Sequence, residues 1–565
     1  MKPWIAFLFF TSMIGYACAQ PRVRQMSDPL IPASKPVVSL FDELTELYPD
    51  TRISDAKKTD SVDAARGTIA GVHLLLTSIE GVQRIDFTVT GPDGKPAAGA
   101  RWYRMIDVPV IENTGLDRCT EKFSGLVNPY VIRRAPFRIF DPFEPVTSPI
   151  AADSTSMALR LELPIDSTAA PGRYTYKINL DFADTSDSVY FIVHVHRAVV
   201  PPTSRSTISY VNWHTLDNIC RDHAVEKWSE PFWKMLGTYA EVMVRGRQNT
   251  FWFQWSDFFT FDSSGAIVKF EGDRLKRYIR TFLNAGMHTI HGAPIARRRS
   301  WGTYEMLLNA WLPQRNDVPA TSTEGERILS AMESYIVATM RENGWEKHWL
   351  QGIFDEPTDE FIDRYKDLAD VLRKQKPDLQ ILEATMTVNL SGVVNVWCPQ
   401  VQEYQANRNF FEARKAAGDR VWVYTCLAPG GPWLNRLCDE ERLRQVYIGW
   451  ACASFDLQGF LHWGLNFHGG KPFEELVRRH SETEFLPAGD SHILYPRLDG
   501  PLSSHRFEAH RIGMEDFELL SQLKSRDSRR ARQIIGEVFQ AFDHYSKDVA
   551  VYREAKRQLL EALDR

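Results

Sequence analysis

Residues 349–374 read WLQGIFDEPTDEFIDRYKDLADVLRK. An apolar run begins at Trp349 and ends in Asp355, Glu356 and Pro357, and from Asp359 to Lys374 apolar residues recur every three or four positions. The pattern predicts a β-strand over 349–356 followed by an α-helix over 359–374.

The same alternation of strand and helix continues on both sides of this unit. Eight strands are predicted, at Thr207–His214, Asn249–Trp255, His288–Ile295, Trp349–Glu356, Gln380–Thr387, Val393–Pro399, Val421–Leu427 and Gly459–Asn466. The intervening helices include Pro231–Arg245, Asp273–Ala285, Glu324–Arg341, Asp359–Lys374 and Glu440–Ala453. This order predicts a (β/α)8 barrel over residues 203–500. Residues 501–565 are predicted to be two helices packed on the outside of the barrel.

The sequence before the barrel shows a different pattern of apolar and turn-forming residues. Short alternating runs separated by Gly, Pro, Asp and Ser turns predict an antiparallel β-sandwich over residues 67–200. The pair Pro201-Pro202 marks a stiff boundary to the barrel. Residues 20–66 are rich in Pro, Asp, Ser and Thr, and they are predicted to be a loosely packed lead-in segment. The fold class is therefore α/β, a barrel preceded by a sandwich.

The first nineteen residues have the layout of a secretory signal peptide. Lys2 precedes an apolar run from Trp4 to Ile14, and the small residues before Gln20 form a cleavage site. We expect export to the periplasm or the extracellular space. A lipid anchor at Cys18, making an outer-membrane lipoprotein, is the alternative. No later apolar stretch reaches the ~18–20 residues of a membrane span.

Composition narrows the class of partner. The formal net charge is −5, from 67 basic and 72 acidic residues, and no basic stripe is visible, so nucleic acid is excluded as a partner. The cysteines show no CxxC spacing, and we expect neither a metal nor another cofactor. The 16 Trp, 19 Tyr and 32 Phe suit a site that stacks on the flat faces of sugar rings.

The acids Asp355 and Glu356 are the main catalytic candidates, because active sites of such barrels lie at the carboxyl ends of the strands. Neighbours in a regular strand point to opposite faces. We expect Pro357 to hold Glu356 in extended backbone and to end the strand, so that both acids face the barrel mouth. Their repulsion should raise the pKa of one of them, as a general acid requires. The alternative is that Asp355 caps the next helix while Glu356 is a solvated surface acid.

Adjacent acids also indicate a mechanism. Two-carboxylate retaining glycosidases need groups about 5–5.5 Å apart on opposite faces of the sugar, which sequence neighbours cannot easily supply. The pair instead suits substrate-assisted hydrolysis, one of the exceptions to that rule. In it the 2-acetamido oxygen of an N-acetylhexosamine is the nucleophile, Glu356 is acid and base, and Asp355 orients the acetamido group. The alternative is a glycosidase of another sugar that uses Glu356 with Glu383 from the fifth strand.

Two segments carry a family resemblance: GIFDEP (352–357) and AGDSHILYPRLDGPLSSHRFEAHRIGMEDFELL (488–520). The chain resembles glycoside hydrolase family 123 and the related domain-of-unknown-function family 4091. The resemblance implies an exported N-acetyl-β-galactosaminidase that acts on an oligosaccharide or glycolipid glycan, with Asp355 orienting the acetamido group and Glu356 as acid and base. A non-catalytic glycan-binding protein is the rival class. In the tail, Arg506, Glu508 and Arg511 are expected to clamp a helix to the barrel.

Residues at the other strand ends are candidate sugar contacts. Tyr424 on the seventh strand is expected to hold the acetamido oxygen. The remaining candidates supply stacking faces and hydrogen bonds: Asn212, Trp213, His214, Trp252, Trp255, His291, Trp397, Trp463 and Asn466.

Overall fold

The computed structural model describes residues 35–479 and 485–565. The predicted leader, Cys18 and the first part of the lead-in segment lie outside these ranges. Two sheets formed mainly by the first 200 residues are followed by an eight-stranded parallel sheet. Within the described ranges, no helix combines the length and apolar character needed to cross a bilayer.

The parallel sheet contains the eight predicted strands in the predicted order: Ser209–Asn212, Thr250–Phe253, Thr289–Gly292, Trp349–Gln351, Gln380–Ala384, Val396–Cys398, Arg420–Thr425 and Gly459–His462. The hydrogen-bonded order runs from the first strand through the eighth, seventh and so on to the second. Asn249 joins the two ends of this order. Its N–H donates to Tyr210 O over 3.2 Å, and its side chain accepts from Tyr210 N over 2.9 Å. The predicted barrel is confirmed.

The regular strands are shorter than predicted at their carboxyl ends. The fourth strand stops at Gln351 and not at Glu356. Beyond it, Gly352 N still donates to Gly292 O over 2.9 Å, and Ile353 O accepts from Ala296 N over 2.9 Å. The acid pair therefore lies on a loop that follows the strand, tied to the loop after the third strand.

Helices cover the outside of the barrel: Leu216–Asp222, Glu230–Arg245, Gly272–Ala285, Thr323–Glu342, Ile362–Gln375, Val401–Ala406, Arg408–Ala416 and Leu443–Phe455. The helix that begins at Ile362 illustrates the packing. Tyr365, Leu368 and Leu372 lie on one face at helical spacing, and all three are fully buried.

Inward-facing side chains fill the interior of the barrel. Trp422 of the seventh strand is fully buried in this inner cluster, with Leu382 and Leu461 nearby in it. Gly459 on the neighbouring strand makes room, because a Cβ there would lie 2.3 Å from the Trp422 ring. The barrel is packed in the manner of a core, so the space for a ligand lies above it.

Two sheets precede the barrel. One contains Val37–Asp42, Thr68–Thr77, Ser156–Ile165, Arg101–Val110 and Phe137–Val146, and the other contains Thr59–Arg66, Ser186–Val199, Gly172–Asp181, Arg84–Thr90 and Ile150–Ala151. All pairs are antiparallel except Thr59–Arg66 with Ser186–Val199. The loose lead-in was a wrong prediction for residues 37–66. Val38 and Leu40 are buried, and both strands of this segment belong to the sheets.

The end of the chain returns to the first of these sheets. Strands Tyr495–Arg497 and Gly500–Ser504 extend it, with Ser503 paired to Phe143. Three helices follow, not the predicted two: His505–Arg526, Ser528–Val538 and Val549–Asp564.

Buried ion pairs fix the first of these tail helices. Arg506 donates to Asp141 of the sandwich over 2.8 Å. Glu508 pairs with Arg511 over 2.7 Å and with Arg245 of a barrel helix, and Arg245 donates to Glu162 of the sandwich over 2.7 Å. The expected clamp is present, and it holds the tail to the sandwich as well as to the barrel.

Candidate active site

A cavity of about 620 Å³ opens at the carboxyl end of the barrel. Most of its lining is aromatic or aliphatic, and it includes Asp355, Glu356 and Tyr424. One lining residue, Arg118, comes from the sandwich side of the chain. Both acids reach one cavity, so the alternative of a helix cap and a solvated surface acid is wrong.

The backbone at Glu356 explains how two neighbouring acids face the same space. Glu356 has φ +50°, in the left-handed region, so the predicted extended backbone is wrong. Its N–H donates to Ala384 O over 2.9 Å, which fixes the turn to the end of the fifth strand. Such a conformation costs about 1–3 kcal/mol and is often found at functional sites.

Arg298 clamps the carbonyl groups of this turn. Its guanidinium donates to Asp355 O and, over 2.6 Å, to Glu356 O. It lies 4.5 Å from the ring centre of Phe354 and 4.7 Å from that of Trp301. Arg298 was not among the predicted site residues, although the run Arg297-Arg298-Arg299 after the third strand was a visible signal.

The electrostatic prediction is confirmed for one acid of the pair. Burial, reinforced by the charge of Glu356 and opposed by Arg298, raises the pKa of Asp355 to about 7. Because the two carboxyl groups interact, the proton belongs to the pair and not to one residue alone. The pair can therefore hold one proton near neutral pH.

Tyr424 faces the acids from the seventh strand. Its hydroxyl donates to Glu356 Oε1, and burial together with Glu356 raises its pKa well above the usual range. Tyr424 therefore remains a hydrogen-bond donor at all ordinary pH values. The hydroxyl was predicted to hold a substrate oxygen, and in the structure its partner is Glu356.

Four tryptophans line the cavity: Trp213, Trp252, Trp301 and Trp463. Trp213 and Trp252 are stacked with ring centres 4.8 Å apart and an interplanar angle of 4°. The indole N–H of Trp252 donates to His214 O over 2.7 Å, and that of Trp463 donates to Asp490 over 3.0 Å. These two N–H groups have protein partners, so Trp252 and Trp463 can contact a ligand through the faces of their rings.

Two other predicted aromatic contacts do not line the cavity. Trp397 is fully buried on the outer side of its strand, against Phe410, and its N–H donates to Asp419 over 2.8 Å. Trp255 lies in a short 3₁₀ helix and packs near Trp349. The prediction for Trp397 was wrong because successive side chains of a strand point to opposite faces, and that for Trp255 was wrong because the strand ends at Phe253, before this residue.

The predicted polar contacts also lie elsewhere. Asn212 accepts from Arg436 over 2.5 Å, His214 hydrogen-bonds Tyr278 over 2.8 Å, and Asn466 accepts from Thr215 N over 2.9 Å. His291 is buried with its ring centre 6.0 Å from that of Trp213. None of these four lines the cavity, and all four are buried.

Glu383, the alternative nucleophile, also lies outside the cavity. It is only 2% exposed and accepts from the N–H groups of Ile353 and Phe354 over 2.9 and 3.0 Å and from the Tyr365 hydroxyl over 2.8 Å. Burial raises its pKa to about 8. Glu383 therefore supports the loop that carries the acid pair, and it does not line the cavity as the alternative mechanism requires.

The model of the glycoside hydrolase 123 catalytic domain matches residues 213–523, more than half of the chain. A family 123 glycoside hydrolase from Clostridium perfringens, solved in work on glycolipid glycan hydrolysis, has 14% identity and a TM-score of 0.74 over 94% of this chain and 98% of its own. At that identity the likeness shows the fold.

Other solved structures are less similar to this chain. β-Glucuronidase 3 from Bacteroides uniformis has 9% identity and a TM-score of 0.30, over 80% of this chain and 51% of its own. Comparison with curated proteins gave no match. The family model and the shared fold agree with the resemblance drawn from the two sequence segments. This chain belongs to glycoside hydrolase family 123.

Proposed function

We propose that this glycosidase removes terminal β-linked N-acetylgalactosamine from oligosaccharide or glycolipid glycans with retention of configuration, by acetamido-assisted catalysis. The observation that carries the proposal is the placing of Asp355 and Glu356 side by side in one cavity. Among the described residues that line it, no third carboxylate is present to act as a separate nucleophile.

The roles follow from the atoms. Glu356 gives its proton to the glycosidic oxygen as the acetamido oxygen attacks the anomeric carbon, and the leaving alcohol departs. The Asp355 carboxylate accepts the acetamido N–H and stabilises the positive oxazolinium. Glu356 then removes a proton from the water that opens this ring. Tyr424 would turn from Glu356 to the acetamido oxygen, while Trp252 and Trp463 contact the sugar.

The proposed sugar, N-acetylgalactosamine, and the proposed glycolipid glycan substrate are supported by membership of the family. The Clostridium perfringens relative is described in terms of glycolipid glycan hydrolysis. We extend that substrate class, and the preference for N-acetylgalactosamine, to this chain as part of the proposal. The leader over residues 1–19 supports export, with a lipid anchor at Cys18 as the variant. Mass spectrometry of the mature N-terminus distinguishes the two.

Three nitrophenyl glycosides test the mechanism and the sugar together. We expect hydrolysis of the β-N-acetylgalactosaminide, little of the β-N-acetylglucosaminide and none of the β-galactoside, with inhibition by a thiazoline analogue of the oxazolinium. The galactoside is the matched control, because it lacks only the acetamido nucleophile. Turnover of the galactoside at a comparable rate would exclude acetamido assistance.

Replacing Arg298 should change the pH dependence of activity. The positive charge of Arg298 lowers the pKa of Asp355, which must be ionised to accept the acetamido N–H. In Arg298→Gln the acid limb of the kcat/KM profile should move to higher pH, with a loss of about tenfold at pH 6 for each unit of displacement.

Arg298→Lys separates charge from geometry. It keeps the charge but cannot clamp two carbonyl groups. The acid limb should then stay close to that of the wild type, while kcat falls because the turn is less firmly held. Identical pH profiles for Arg298→Gln and the wild type would contradict the electrostatic role.

A further inference from the structure

A second compartment of about 450 Å³ adjoins the catalytic cavity. The two share Trp213, Trp252, Arg298, Trp301 and Asp355 as lining residues, whereas Glu356 lines the catalytic cavity alone. The space available to a ligand therefore continues from the Asp355 side of the acid pair. The mechanism above uses none of this second space.

Three consecutive arginines line the second compartment: Arg297, Arg298 and Arg299. A short hairpin presents them, in which Ala296–Arg297 pairs with Leu307–Leu308. The hairpin is tied to the acid-pair loop through the hydrogen bond from Ala296 N to Ile353 O. The arginines are thus held in a fixed relation to Asp355.

The positive charge of this wall is only weakly compensated. Arg297 donates to the carbonyl oxygens of Asn316 over 2.5 Å and Arg298 over 3.4 Å, and it forms no ion pair with a described residue. Arg299 pairs with Glu305 over 3.1 Å, but their side chains are 52% and 48% exposed, so this pair is weak. Bonds to carbonyl groups orient a guanidinium without neutralising it.

The sign of this charge is opposite to that of the molecule. The chain carries a formal net charge of −5, yet the second compartment has three arginines and, among described lining residues, Asp355 as its one acid. Aromatic walls of low dielectric constant focus such a field toward an incoming ligand. Guanidinium groups bind planar or tetrahedral oxyanions through paired N–H groups.

We propose that the second compartment binds an anionic substituent, a carboxylate or a sulfate, of the glycan whose terminal sugar occupies the catalytic cavity. This inference rests on the proposed function and narrows its substrate class to acidic glycans. The charge has two sources, a sulfate on the terminal N-acetylgalactosamine or a carboxylate on the next sugar, and the test separates them.

The test compares two matched substrate pairs. One pair is the nitrophenyl β-N-acetylgalactosaminide with and without a sulfate on the sugar. The other is N-acetylgalactosamine β-linked to glucuronate or to glucose. For at least one pair we expect the acidic member to have a kcat/KM about tenfold higher, with the ratio falling as salt is raised. The pair that shows the advantage identifies the source of the charge.

Arginine variants assign the effect to the compartment. In Arg297→Gln/Arg299→Gln the ratio of acidic to neutral kcat/KM should fall toward one. The control Arg529→Gln/Arg532→Gln removes two exposed charges from a tail helix outside the cavity and should keep the wild-type ratio. A wild-type ratio of one or less for both pairs, or an unchanged ratio in Arg297→Gln/Arg299→Gln, overturns the proposal.

Calorimetry keeps this proposal distinct from the catalytic one. If the wild type cleaves none of the substrates, the proposed function fails. Binding of the same glycans, measured by calorimetry, then still tests whether the second compartment binds an anionic substituent. Binding of an acidic glycan about tenfold tighter than its neutral partner, lost in Arg297→Gln/Arg299→Gln, would support the compartment. Equal affinity for both members of each pair would exclude it.

Discussion

Glu356→Gln is expected to lower kcat by about 10²–10⁴-fold, the range for loss of a general acid and base. The loss should be larger with a sugar leaving group than with nitrophenolate, because a poor leaving group depends more on protonation. Binding of substrate should remain measurable, since the amide keeps the shape of the side chain. Steady-state kinetics on a disaccharide and on its nitrophenyl counterpart measure the loss of kcat for each leaving group, and the KM values report on substrate binding.

The matched control is Glu383→Gln. Burial raises the pKa of Glu383 to about 8, so at pH 7 it is mostly neutral, and an amide closely resembles it. Because Glu383 lies outside the cavity, activity should stay within about threefold of the wild type. A loss as large as that of Glu356→Gln would contradict its supporting role and restore the two-carboxylate mechanism.

Asp355→Asn should lose activity and gain stability. Activity should fall by about 10²–10³-fold, the magnitude found when an electrostatic stabiliser of a developing charge is removed. The pKa of Asp355 is about 7 in the folded protein against an ordinary 3.8, so folding favours its protonated form. The wild type therefore loses stability as pH rises from about 4 to about 7, whereas Asn cannot ionise.

Thermal unfolding across pH tests this second effect. The two proteins should be equally stable near pH 4 as far as this group is concerned. The variant should become more stable by about 1–4 kcal/mol at pH 8, the upper figure being the full linkage of the shift. A difference in stability that does not grow with pH would contradict the burial of an ionisable Asp355.

The sequence predicted the barrel because each of its eight strands is an apolar run followed by a helical period. It placed Trp252, Trp463 and Tyr424 at the cavity because residues at the carboxyl ends of these strands can turn toward the mouth. It failed for Trp397, where the side to which a residue points depends on strand register. Periodicity alone does not fix that register within one residue.

Other features had no local signal. The left-handed backbone of Glu356 is set by Ala384 and Arg298, which are remote in the sequence. Arg118 lines the same cavity as Asp355, although it lies far before Asp355 in the sequence. The strands Val37–Asp42 and Thr59–Arg66 were missed because they add to sheets whose other members come later in the chain. Such contacts follow from tertiary packing.

The ion pairs around Glu508 connect the barrel to the sandwich, so we expect the barrel to be unstable when it is expressed without the sandwich. A fragment confined to residues 213–523 would lose Glu162, the partner of Arg245, and Asp141, the partner of Arg506. Stranding a buried charge costs about 3–5 kcal/mol for each broken pair, comparable with the whole stability of many domains. Recombination between relatives in this family should therefore exchange the sandwich and the barrel together, as one inherited piece.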